Sequence, residues 1–185
     1  GELAFAKGYG YRDLAARLPM TAHTVYPIAS TSKAINATLL SMLVEEGKLA
    51  WDAPVRDYLP TFTLRDPLAS ASVTLRDLVI MRTGLPRHDW VSAQRGMTRS
   101  QLAERLRYLE PSAGFRERYQ YSNLTTSVAG HLAEVVAQQP WNELVRTRIL
   151  DPLGMHTTSF NVPTQGDFTL RYHENDRREL LLTEP

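Results

Sequence analysis

The sequence predicts an α+β fold: a partial antiparallel sheet joined to a large all-helical region. Three observations predict it. Short strand-like runs open the chain, helix-period segments fill its middle, and strand-like runs return at the end. The strand content is thin for a whole sheet.

The elements follow in order. Residues 3–9 (LAFAKGY) and 24–29 (TVYPIA) read as strands, with a hairpin loop between them and Gly8 and Gly10 at turn or bulge positions. After Ser30 the period changes. Ile35, Leu39, Leu40, Leu43 and Val44 recur at three- and four-residue spacing, which predicts a helix over 31–46 closed by Gly47. Residues 49–60 carry two prolines and read as a turn and short helix. Thr74, with Asp77 three residues on, has the form of a capping box for LRDLVIMRT, and Gly84 is expected to end that helix. Residues 98–110 form an amphipathic segment with Leu102, Leu106 and Leu109 on one side. The loop PSAGFRERYQYSN follows, then helices over 124–138 and 141–149. The stretch DPLGM (151–155) is a stop, and the tail reads as two strands around a polar Glu-Asn-Asp turn.

Composition excludes several functions. The 185 residues contain no Cys, so disulfides, Cys-based zinc sites and iron–sulfur clusters are ruled out. A net charge of +1 gives no long-range attraction to nucleic acid or an anionic membrane. The five His residues (23, 88, 131, 156 and 173) lack metal-ligand spacing, and neither a metal nor a cofactor is expected. No run of 18 apolar residues predicts a transmembrane segment. The first residues lack the pattern of a signal peptide and the chain does not begin with Met, which suits a mature, trimmed or partial chain. Of the 21 basic residues only Lys7, Lys33 and Lys48 are lysines, so each is a rare choice.

Lys33 stands in Ser30-Thr31-Ser32-Lys33, where a strand-like run gives way to a helix. Residues three apart share a helix face, so Lys33 reaches back to Ser30. Ser30 lies at a helix N-terminus, where free amides and the dipole favour developing negative charge. A serine hydroxyl becomes a useful nucleophile once a base takes its proton, and a lysine can be that base. The bland alternative is an N-cap serine followed by a surface lysine. Tyr121-Ser122-Asn123 forms a second cluster at a loop-to-helix junction. Tyr121 can exchange a proton with a leaving group beside a cation. Asn123 can cap the helix, or its amide can bond a substrate carbonyl and the Lys33 amine. A core tyrosine with an N-cap asparagine is the alternative there. His88 beside Asp89 is a weaker candidate base pair. Trp90, Phe115 and Tyr119 are candidate cleft residues, and Arg116 or Arg118 a candidate carboxylate anchor.

The stretch TVYPIASTSKAINATLLSMLVEEGKLAWDAPVRDYLPTF resembles the serine β-lactamase and penicillin-binding-protein-like hydrolases, in their class C β-lactamase, D-alanyl-D-alanine carboxypeptidase and esterase branch. LRDLVIMRTGLP is similar to the branch's leucine-rich turn ending Thr-Ser-Gly-Leu, although Ile80-Met81-Arg82-Thr83-Gly84 departs from its usual Thr-His-Thr-Ser-Gly. FRERYQYSN matches its Tyr-x-Asn loop and ILDPLGMHTTSF its PLGM stretch. The resemblance covers residues 1–165. It implies a β-lactamase/transpeptidase-like fold, Ser30 as acylated nucleophile, Lys33 as its base partner, Tyr121 as second general acid/base, and Asn123 as the orienter of the substrate amide. The Ser30 N–H would supply half of an oxyanion hole.

The branch's third motif, Lys-Thr-Gly or His-x-Gly, does not occur after Tyr121. The expectation is therefore one incomplete hydrolase domain over 1–185. It comprises sheet strands and nucleophile helix (1–48), a mainly helical region (49–160) and the start of the return to the sheet (161–185). The C-terminal strands and third motif fall outside this chain. The partners implied are a small-molecule or peptide substrate and the remainder of the same domain, on this protein or a second chain, with no nucleic acid. Carboxypeptidase, esterase and β-lactamase activities all suit the motifs. The alternative is a non-catalytic binding or structural protein that keeps the fold. The resemblance favours a periplasmic or secreted location, and a cytoplasmic one is compatible.

Overall fold

The computed structural model describes residues 2–92, 96–161 and 163–183. They fall into two compact units, one of Gly1–Ala29 with Met155–Pro185 and one of Ser30–Gly154.

In the first unit β1 (Tyr11–Asp13) pairs antiparallel with β2 (Leu18–Pro19) across a bulge. The other pair is β3 (Tyr172–Glu174) with β4 (Leu180–Leu182), in the register Tyr172↔Leu182. Asn175 sets their turn, its Oδ1 accepting from the Arg177 and Glu179 amides at 3.0 and 2.9 Å. The polar turn expected in the tail is there. The expected strands 3–9 and 24–29 are not. Residues 3–9 pair with no strand among the described residues, and Leu3 and Phe5 are exposed, so nothing rewards a ladder. Of residues 24–29 only Val25 forms a bridge, to Phe168. Asp167 secures that bridge by accepting from the Thr21 and Thr24 hydroxyls, both at 2.8 Å.

The second unit holds the core. Every buried hydrophobic side chain among the described residues lies between Leu39 and Leu150. Helix α1 (Ser32–Glu45) buries Leu39, Leu40 and Leu43 and packs on α6 (Asn123–Ala137), which buries Leu124, Val128 and Leu132. Each fully buried leucine contributes about 2 kcal/mol of hydrophobic stabilisation. Around α6 lie α3 (Leu75–Val79), α5 (Arg99–Arg105) and α7 (Trp141–Val145), which runs into a π-helical turn at Arg146–Leu150. Two further short helices, α2 (Pro67–Ser72) and α4 (Asp89–Ser92), complete the unit.

Buried polar side chains fix how α1 sits on α6. Asn36, one turn beyond Lys33, accepts from the Trp141 indole at 2.7 Å and donates to the Thr126 carbonyl at 3.3 Å. The helices close at Gly130, where a Cβ would stand 3.3 Å from Trp141 and 3.4 Å from Asn36. Elsewhere the capping box Thr74–Asp77 forms as expected. Its helix ends at Val79, however, well before Gly84, because Ile80 leaves helical geometry and Met81 turns left-handed (φ +58).

Candidate active site

Ser30 enters α1 through a 3₁₀ turn, Ala29–Thr31, in which Ala29 takes φ +45. That conformation is uncommon for a residue with a Cβ. Lys33 lies in the first turn of α1, and Thr31 makes no side-chain cap there. The junction thus keeps the positive end of the helix dipole beside Ser30.

Tyr121 and Asn123 follow a loop that is held to residues 81–84 by a chain of backbone hydrogen bonds. The Ser112 amide donates to Gly84 at 3.0 Å, that of Arg116 to Arg82 at 2.9 Å, and that of Gln120 to Met81 at 3.0 Å. Gly84 is required in this ladder: it takes φ +83, and a Cβ on it would lie 2.6 Å from the Ala113 carbonyl. Ser122, fully buried, then caps α6 by accepting from the Thr125 amide at 3.4 Å. Of the two roles open to Asn123, the cap thus falls to Ser122 and the bond to Lys33 is the one that forms. Asn123 is the first helical residue, and its side chain is left for Lys33.

The four candidate residues gather at one point. Lys33 Nζ donates to Ser30 Oγ at 3.0 Å, to Tyr121 Oη at 2.7 Å and to Asn123 Oδ1 at 2.7 Å. Ser30 Oγ and Tyr121 Oη are 2.5 Å apart. An ammonium has three protons, and here each meets an acceptor. With the Ser30 and Tyr121 oxygens both accepting from Lys33, the short bond between them suits a serine proton shared with a phenolic oxygen. Tyr121 is prepared for that charge. The hydrogen bond from Lys33, then that with Ser30, hold the phenol below its ordinary value, and the Lys33 and Arg87 charges add to them.

Two residues of this site escape a motif reading. The Arg87 guanidinium lies over the Tyr121 ring, 5.0 Å from its centroid. Asp89 accepts from Arg87 Nε at 2.6 Å and from Asn123 Nδ2 at 3.3 Å. Asp89 enters the sequence reading only as a partner for His88, and the pairing with Arg87 has no signal there beyond opposite charge two residues apart. The suggested His88–Asp89 pair does not form: His88 Nε2 is buried without a hydrogen-bond partner, and Asp89 accepts from Arg87 and Asn123.

The remaining candidates lie elsewhere. Arg116 is committed to Asp77, donating at 2.9 and 2.7 Å, and Arg118 donates to the Ser112 carbonyl at 3.0 Å. Phe115 packs on the core, whereas Trp90 and Tyr119 are exposed. Among the described residues no group of three His, Cys, Asp or Glu gathers as a metal site, and no helix is long and apolar enough to cross a membrane.

A family model described as Beta-lactamase matches residues 1–185. The chain belongs to the beta-lactamase family. One relative, Unguisins hydrolase ungD of Aspergillus violaceofuscus, is 36% identical over 166 residues, covering 85% of this chain and 29% of that protein. The Teichoic acid D-alanine hydrolase of Staphylococcus aureus is 29% identical over 160 residues, covering 86% of this chain and 38% of its own length. Among solved structures, FmtA from Staphylococcus aureus superposes with a TM-score of 0.84 at 26% identity, over 100% of this chain and 51% of that one. The chain thus spans about a third of these curated relatives and half of that structure. The fold is the β-lactamase/transpeptidase-like one expected from the sequence, represented by its helix-rich part.

Proposed function

We propose that this chain carries the nucleophile and proton-transfer groups of a serine hydrolase that forms an acyl-enzyme on an amide, ester or β-lactam carbonyl. The observation that carries the reading is Lys33 Nζ within 3.0 Å of Ser30, Tyr121 and Asn123, with Ser30 and Tyr121 themselves 2.5 Å apart.

Ser30 Oγ attacks the carbonyl carbon while its proton passes to Tyr121 Oη. The new oxygen–carbon bond gives a tetrahedral intermediate, whose oxyanion draws on the α1 N-terminus and the Ser30 amide. Collapse breaks the bond to the leaving group, which takes the proton from Tyr121. Water then adds to the acyl carbon, losing its proton to Tyr121, and Ser30 leaves with that proton. Lys33 stays charged throughout and stabilises the phenolate. In this assignment Tyr121 is the proton carrier and Lys33 its electrostatic partner, a reversal of the order suggested by Ser-x-x-Lys alone. Asn123, held by Lys33, presents its amide to the substrate.

The names of the relatives, a hydrolase of unguisins and a hydrolase of teichoic acid D-alanine, support carbonyl hydrolysis as the reaction class. The second oxyanion donor and the substrate pocket are assigned to the remainder of the same domain. A fluorophosphonate and a fluorescent penicillin test the reading on the full-length protein. One covalent adduct on Ser30, located by peptide mass spectrometry and absent from Ser30→Ala, is the expected result. Failure of both probes on folded protein would overturn it.

A further inference from the structure

We propose that Asp89 is a positioning residue that holds the Asn123 amide and the Arg87 guanidinium in register with the Lys33–Tyr121 pair. The proposal rests on the hydrolase reading above and assigns it two further groups.

The chemistry of the neighbours fixes the Asn123 amide. Its Oδ1 faces Lys33 Nζ, which as an ammonium only donates, and its Nδ2 faces the Asp89 carboxylate, which only accepts. A flipped amide would oppose donor to donor and acceptor to acceptor. Asp89 thereby keeps the carbonyl end of Asn123 on Lys33. The same carboxylate takes Arg87 Nε at 2.6 Å and so sets the guanidinium that lies over the Tyr121 ring. A cation at that range favours the phenolate.

Stability does not account for the pair. The Arg87 and Asp89 side chains are 65% and 45% exposed, a setting in which an ion pair adds little to folding. Between them His88 takes φ +44, a left-handed conformation that is unfavourable for a residue with a Cβ. Among the described residues the charged groups facing Tyr121 are Lys33 from α1 and Arg87 from the loop before α4, while Asp89 acts through Arg87 and Asn123.

Three variants of the full-length protein separate these roles. Arg87→Gln removes the cation over the ring. Asp89→Asn keeps an acceptor for Asn123 but removes the charge that offsets Arg87. Asp89→Ala removes both. Tyr121 ionisation is followed by tyrosinate absorbance, each variant being read against the same variant carrying Tyr121→Phe. The expected midpoint shifts are opposite in sign, upward in Arg87→Gln and downward in Asp89→Asn, each by about half a pH unit. The acid limb of Ser30 acylation moves with them. The plateau rate falls about tenfold in Asp89→Ala and by only about two- to threefold in Asp89→Asn, with thermal midpoints unchanged.

Shifts of the same sign, unmoved midpoints, or equal plateau rates in the two Asp89 variants would overturn the positioning role. The titration is readable whether or not the protein hydrolyses anything. Opposite shifts without labelling of Ser30 uphold the positioning and sink the hydrolase reading. Labelling of Ser30 with unmoved midpoints does the reverse.

Discussion

Asp77 and Lys33 illustrate two uses of one device, a charged group whose hydrogen-bonding capacity is filled by neighbours. Asp77 is buried and accepts from the Thr74 amide at 3.0 Å, the Thr74 hydroxyl at 2.9 Å, and Arg116 at 2.9 and 2.7 Å. Burial alone would raise its pKa, but the Arg116 bond, the two Thr74 bonds and the Arg116 charge outweigh it and hold the carboxyl below its usual value. The folded pKa is thus lower than the unfolded one. The stabilisation is complete above about pH 4 and lost as pH falls through the folded value. Asp77→Asn is expected to cost about 2 kcal/mol at neutral pH, less than a fully buried pair because Arg116 is half exposed. The variant should also show a flatter fall in urea midpoint between about pH 5 and 2, where wild type loses this contribution. A wild-type slope in the variant would refute the assignment. Lys33 sits among three acceptors to different effect, bringing two hydroxyl oxygens together rather than closing a helix end.

At the scale of elements, the site depends on the ladder between residues 81–84 and 112–120, which delivers Tyr121 to Lys33. Gly84→Ala would drive a methyl group into the Ala113 carbonyl at a left-handed φ. A loss of about 2–4 kcal/mol is expected in chemical denaturation, with slowed acylation of Ser30 in the protein that remains folded. Unchanged stability would mean that the ladder opens without cost. The longer helices and the Thr74–Asp77 cap were legible in the sequence, the cap because its chemistry is local, whereas the equally local Thr98–Gln101 box was not read. Helix α2 has an equally local signal, Asp66 accepting from the Leu68 amide with Pro67 at the first helical position, yet six residues are too few to reveal a period. For Asn123 the residue type alone left two roles open, a helix cap or a bond to the Lys33 amine. Ser122 took the cap because it falls one residue earlier, at extended backbone (φ −144), and Asn123 was thereby released for the site. The strands at 3–9 and 24–29 were overread because strand propensity states which residues suit a ladder and not whether a partner exists.

For the whole molecule, the two units differ in how they bury apolar surface. The Ser30–Gly154 unit holds the core, whereas in the other unit Leu3, Phe5, Tyr9 and Tyr26 are exposed, as are Leu180, Leu181 and Leu182 of β4. Exposed apolar residues, those on the edges of a short two-stranded pair among them, promote association. Prepared as these 185 residues, the protein is expected to bind anilinonaphthalene sulfonate and to self-associate in analytical ultracentrifugation. A monodisperse sample that leaves the dye dark would show that these exposed residues need no cover. The gathering of Ser30, Lys33, Tyr121 and Asn123 was legible in kind from two short motifs and one family resemblance. The Arg87–Asp89 support was not, since opposite charges two residues apart are commonplace on any surface. The scarcity of lysine has one further consequence. A sample grown with nitrogen-15 lysine contains three labelled ammonium groups, of which Lys7 lies 5.2 Å from the Tyr9 ring centroid and Lys48 pairs with Glu46 at 3.0 Å with half its side chain exposed. Only Lys33 has all three protons engaged at fixed acceptors, so its resonance exchanges slowest with water and moves whenever Ser30 is occupied. The protein thereby carries its own magnetic-resonance reporter, one atom from the reacting oxygen.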